Sequence, residues 1–161
     1  MRRFFMAAVL TATVLLPAAS QAGWVVEGSL GKGGQVSSPR AWEQLNLMVA
    51  PGLSIFSLIR LQLGIVGDFA DTSGSKTNME LRPMVTIVPP VLPVYGRAVL
   101  AVTNLAGRGS GKRPIAYGAA GGVRFGLGPI GVFGEVGVLP RSIAGKFIWV
   151  VEGRAGAYLE F

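Results

Sequence analysis

The sequence contains no cysteine and no histidine. Without cysteine there is no disulfide and no acylated lipoprotein N-terminus. The absence of both residues removes the main protein ligands of a zinc-type metal site, and with histidine goes the commonest general base. Charge is scarce as well: Asp, Glu, Lys and Arg make up 14% of the 161 residues, against 50% apolar residues. A soluble domain ordinarily carries about 25% charged residues to keep its surface wet. Beyond the N-terminal segment there is no uninterrupted apolar run of the roughly 18 residues that mark a transmembrane helix. The 24 glycines argue against helices of any kind, because each interior glycine costs a helix about 1 kcal/mol relative to alanine. The apolar excess must therefore be buried by something other than helices.

Part of that excess is explained at the start of the chain. Arg2 and Arg3 precede an apolar stretch from Phe4 to Leu16, Pro17 breaks it, and Ser20 and Ala22 supply a small-x-small cleavage pattern. Residues 1–22 are expected to be a signal peptide cleaved after Ala22, leaving residues 23–161 as one domain. An uncleaved anchor is the alternative, but the apolar stretch is short for a span of about 20 residues. Cleavage removes Arg2 and Arg3 and lowers the formal net charge of +7 by two. A basic chain invites a nucleic-acid reading, which export makes untenable.

The rest of the chain alternates between two faces, the period of a β-strand. From Phe147 to Phe161 the odd positions Trp149, Val151, Ala155, Ala157 and Leu159 are apolar, while Glu152, Arg154, Tyr158 and Glu160 occupy the even ones. In water such a strand would have its apolar face outward. In a membrane barrel the lipid-facing band is apolar and the interior can be polar. The pattern predicts strands near 24–32, 42–50, 58–70, 79–88, 94–105, 115–127, 130–138 and 146–161. Phe133 complicates the seventh, since it shares its parity with Glu135. Short turns rich in Pro and Gly are expected at 51–57, 89–93 and 128–130, and longer polar loops near 33–41, 71–78, 106–114 and 139–145. The reading is all-β: a closed, up-and-down, antiparallel eight-stranded transmembrane barrel, with both termini on the periplasmic side. Closure follows from the requirement that every backbone group in lipid find a partner. Pro83 fits worst, because it falls inside the fourth strand and cannot donate to a ladder, so a local bulge or a weak seam is expected there. A lateral opening for a lipid is a further reading of the same residue.

These features together, and the terminal stretch Gly153-Arg154-Ala155-Gly156-Ala157-Tyr158-Leu159-Glu160-Phe161, resemble the small bacterial outer-membrane β-barrel superfamily in its eight-stranded class. The resemblance implies an outer-membrane location, an interior filled by side chains, and a terminal strand whose aromatic Phe161 is read by barrel-assembly machinery. It also bears on catalysis. Barrel lipases, palmitoyl transferases and surface proteases resemble one another in using a histidine base, and this chain has none.

Strand parity predicts which charges face the interior: Glu27, Asp68, Glu80, Glu135, Glu152 and Glu160, against Arg60, Arg82, Arg97, Arg124 and Arg154. Opposite charges confined there are expected to pair, giving a structural plug. The alternative is a narrow gated conduit, kept open as a reading by the small inner face of Gly118, Ala120 and Gly122. Lumen carboxylates facing arginines point to structure, so no catalytic residue, metal or cofactor is assigned. Gly107 to Arg113 superficially suggests a phosphate-binding loop, but Ala106 stands where the first glycine should be and Arg113 follows Lys112.

A second charge bias lies in or next to the outer loops, where Lys32, Arg40, Lys76, Arg108, Lys112, Arg113, Arg141 and Lys146 are opposed only by Glu43 and Asp71. Such a rim suits the phosphates of lipopolysaccharide, or it is simply a solvated edge. Aromatics on the apolar face, Phe69, Tyr117, Phe147 and Trp149 at one end and Trp24, Phe125 and Phe161 at the other, suit two membrane interfaces. The expected function is thus a non-enzymatic, monomeric outer-membrane barrel serving envelope integrity or surface interaction, its partners membrane lipid and lipopolysaccharide. A narrow channel for small solutes, and a soluble exported ligand-binding barrel of the calycin kind, are the competing classes. The soluble barrel would place apolar residues inside and charges outside.

Overall fold

Alternation of side chains becomes two surfaces only when strands pair, and pairing here runs all the way round. The computed structural model describes residues 22–36, 45–69, 79–102, 115–143 and 146–161, with the side chains of Ala116 and residues 140–148 outside the described set. The strands are β1 (Ala22–Gln35), β2 (Asn46–Ile55), β3 (Ile59–Asp68), β4 (Met79–Ile87), β5 (Val94–Val102), β6 (Ile115–Leu127), β7 (Ile130–Ile143) and β8 (Lys146–Glu160). Each is antiparallel to its neighbour in sequence, and β1 pairs with β8 from Val25↔Glu160 to Gln35↔Val150, so the sheet closes as an up-and-down barrel. The closing seam extends one step further, where Trp24 and Phe161 exchange backbone hydrogen bonds of 2.6 and 2.9 Å. No sheet edge is left along that seam.

The two faces separate cleanly. Along β3, Ile59, Leu61, Leu63 and Ile65 are exposed, whereas Arg60, Gln62, Gly64 and Val66 are buried. Phe133 resolves the ambiguity of β7: it and Glu135 are both inside, and its ring packs with Val88, Tyr95 and Tyr158. The interior thus has an apolar layer at the turn end and a second one around Met48, Met84 and Val99. Charges occupy the space between and beyond them.

Three boundaries differ from the sequence expectation. The turn expected at 51–57 is only Phe56, Ser57 and Leu58, because β2 continues through Pro51 and Gly52 to Ile55. Pro-Gly ordinarily marks a turn, but here both residues stay in register with β1, through Val26↔Pro51 and Val25↔Gly52. The turn itself is made by Phe56 and Ser57, both with positive φ (54° and 56°), and closed by Leu58 N–H to the Ile55 carbonyl at 3.0 Å. The loop expected at 139–145 is mostly strand: β7 runs to Ile143 and pairs with β8 through Pro140↔Trp149 to Ile143↔Lys146. Pairing with β8 carries β7 past the point where its alternation fades. Likewise β1 reaches Gln35 against Val150, within the loop expected from residue 33.

Pro83 produces no bulge. The β4–β5 register is the same on either side of it, Leu81↔Val102 and Met84↔Val99, with the two intervening pairs absent. It is a local gap in one seam, as expected for a missing donor.

Candidate functional site

The interior arginines and glutamates predicted from parity meet across the barrel. Arg60 on β3 pairs with Glu160 on β8 and with Glu27 on β1 at 3.2 Å. Glu27 passes its other oxygen to Arg97 on β5 at 2.7 Å, and Arg97 reaches Glu135 on β7 at 3.0 Å. Glu135 lies 3.8 Å from Arg154, which pairs with Glu152 on its own strand. Glu152 accepts two bonds from Arg82, at 3.2 and 3.4 Å, and Arg82 reaches Glu80 at 3.0 Å. Acid and base alternate without interruption from Glu160 to Glu80.

Burial decides how strong this arrangement is. Arg60, Arg82, Glu27, Glu80 and Glu152 are each at most 2% exposed. Charges taken out of water cost several kcal/mol apiece, and only close, multiply bonded partners return that cost. Neutral side chains supply the remaining bonds: Tyr95 Oη donates to Glu135 at 2.8 Å, Arg97 Nε donates to Thr86 at 3.0 Å, and Arg154 donates to Ser29 at 3.1 Å. Aromatic faces cover the guanidiniums, with Arg60 4.7 Å from the Tyr158 centroid and Arg97 5.3 Å from that of Tyr95. Parity put Tyr158 on the same face as the charges, but only the charges stood out, because neutral and aromatic side chains are ordinary in strand interiors.

Two further predicted members sit elsewhere on the inner face. Asp68 is half-buried at the end of β3, opposite Asn46. Arg124 lies over the Tyr158 ring at 5.2 Å, but no carboxylate meets it among the described residues, and its Nη1 is buried without a hydrogen-bond partner. Its charge offsets the chain of ion pairs, in which five glutamates face four arginines.

Among the described residues, the small inner face of β6 is filled by aromatic side chains. Tyr95 lies opposite Gly122 in the register, and a Cβ added at Gly122 would run into its phenol. At Gly131 an added Cβ would strike the ring of Tyr158. The glycines hold the aromatics, and the space left between Glu27, Arg60, Tyr95, Arg97, Arg124 and Tyr158 does not admit a water molecule.

The exterior is the reverse. Exposed positions include Leu47, Leu53, Ile65, Val85, Leu100, Val138 and Leu159, and Trp24 and Phe161 are 60% and 70% exposed. Tyr117 and Trp149 meet edge to face at 6.2 Å near the end opposite the short turns. This polarity excludes the soluble ligand-binding barrel, whose apolar residues would face inward. Of the basic rim, Arg40, Lys76, Arg108, Lys112 and Arg113 lie outside the described residues, as do the side chains of Arg141 and Lys146 and the aromatic Phe147.

The fold is that of a known surface barrel. The crystal structure of Neisserial surface protein A matches with a TM-score of 0.53 at 11% identity, over 88% of this chain and 97% of that one. No family model matches the chain, and no curated protein matches it in sequence. Among the described residues no group of acidic side chains is placed to hold a metal ion.

Proposed function

We propose that this chain is a non-enzymatic integral protein of a bacterial outer membrane, whose barrel is a sealed scaffold that displays basic loops at the cell surface. The observation that carries this reading is the inverted polarity: buried Arg–Glu pairs inside an exposed aliphatic wall. The surface barrel of Neisseria shares the fold, and its name places that protein at the surface. With the interior filled, activity is left to the rim, where Arg40, Lys76, Arg108, Lys112, Arg113, Arg141 and Lys146 give an excess of positive charge. Lipopolysaccharide phosphates complement that charge, and guanidiniums bind phosphate bidentately. Insertion would use the assembly machinery that reads a terminal strand ending in an aromatic, here Phe161.

Retention of the detergent-folded barrel on immobilised lipopolysaccharide tests the rim. Reversing Arg108, Lys112 and Arg113 to glutamate is expected to abolish it while leaving heat-modifiable gel migration intact. Unchanged retention would remove the surface-binding role and leave the scaffold alone.

A further inference from the structure

Two prolines stand in one row of the barrel wall. The β2–β3 ladder is in register at Val49↔Ile65 and Gly52↔Gln62, and the pairs between them, which include Pro51 opposite Leu63, are absent. Leu63 pairs with Pro83, and the β4–β5 gap places Pro83 opposite Leu100, which pairs with Tyr117. Both gaps have the extent that a single lost donor produces. Pro51 has no N–H for the Leu63 carbonyl, and Pro83 has none for the Leu100 carbonyl. Water fills such vacancies on a soluble sheet, but hydrocarbon supplies no donor.

The same row is one wall of a groove on the outside of the barrel, about 760 Å³ in volume, crossing from β2 to β6. Leu61, Val85 and Ala98 form the facing wall. Five strands at a spacing of about 4.8 Å make the groove roughly 19 Å long. Its shape and lining suit a single hydrocarbon chain, and its two unmet acceptors ask for a donor on that chain.

We propose that the groove binds a hydroxylated acyl chain of a membrane lipid, with the hydroxyl donating to the Leu63 or the Leu100 carbonyl. The proposal rests on the barrel spanning a membrane. A plain acyl chain fills the same walls but leaves both carbonyls unmet, so the groove discriminates by one hydrogen bond.

The folded barrel in phosphatidylcholine vesicles is titrated with 3-hydroxytetradecanoic acid and, separately, with tetradecanoic acid, reading the 13C shifts of the two leucine carbonyls. The hydroxylated chain is expected to bind about fivefold more tightly, the ratio of one net hydrogen bond, and to shift at least one carbonyl. Replacing both prolines, Pro51→Ala with Pro83→Ala, restores the N–H groups and is expected to bring the ratio to one while plain-chain binding persists. Ala98→Trp fills the groove and is expected to remove binding of both. Equal affinities in the parent barrel, or a preference that survives the double proline variant, overturns the proposal. A folded barrel that does not enter vesicles overturns the membrane reading itself, which an inserted barrel without preference leaves standing.

Discussion

Arg97 touches Glu27 and Glu135 and lies over the rings of Tyr95 and Phe133. Arg124 lies in the same interior over the face of Tyr158 and, among the described residues, meets no carboxylate. Removing Arg97 leaves two buried carboxylates short of a partner, so Arg97→Met is expected to destabilise the barrel by about 3–5 kcal/mol. Arg124→Met sacrifices only a cation–π contact and relieves an unpartnered Nη1, so its cost is expected to stay within about 1 kcal/mol. Urea unfolding of the two variants in the same micelles compares them directly. Equal losses would mean that net charge, rather than local pairing, governs the interior. Both arginines were legible from strand parity as inward charges. Their difference was not, because it depends on residues from other strands.

At the scale of elements, turns were read less well than strands. Pro51-Gly52 carries a strong turn signal yet remains strand, while Phe56-Ser57, with no such signal, makes the β2–β3 turn. Two successive positive-φ residues are the geometry for which Asn-Gly is preferred. Phe56→Asn with Ser57→Gly is therefore expected to stabilise the barrel by about 1–2 kcal/mol, seen as a higher urea midpoint. No change would show that Phe56 gains in the membrane interface what it loses in the backbone. The β7–β8 hairpin makes the same point in reverse. Alternation is lost near Leu139, yet the strands stay paired to Ile143↔Lys146, since each supplies the other's hydrogen bonds whatever its side chains are.

For the whole molecule, the inverted polarity sets what the barrel can do in a bilayer. Ile65 lies in β3 on the aliphatic exterior, 45% exposed. Ile65→Arg is expected to cost about 2–4 kcal/mol in vesicles if that position lies near the bilayer midplane. A soluble barrel would tolerate it, so a neutral result argues against the membrane reading. The interior predicts the electrical behaviour. With Tyr95 against Gly122, Tyr158 against Gly131 and no room for water between the central ion pairs, planar bilayers containing the barrel are expected to show no steady conductance. Stable single-channel steps would mean that the ion pairs exchange partners and open a path.

Period-two alternation by itself determined that this chain builds strands, how many there are, and which of their faces is apolar. That information is local, because neighbouring side chains on a strand point to opposite sides wherever the strand lies. The tertiary structure alone decided who meets whom inside. Arg60 and Glu160 are a hundred residues apart in sequence, and only closure of β1 onto β8 brings them together. Pairing of β2, β3 and β4 likewise set Pro51 and Pro83 in one row of the wall, on either side of Leu63. Register across strands is a property of the whole ring, set by every ladder at once, and no single segment contains it.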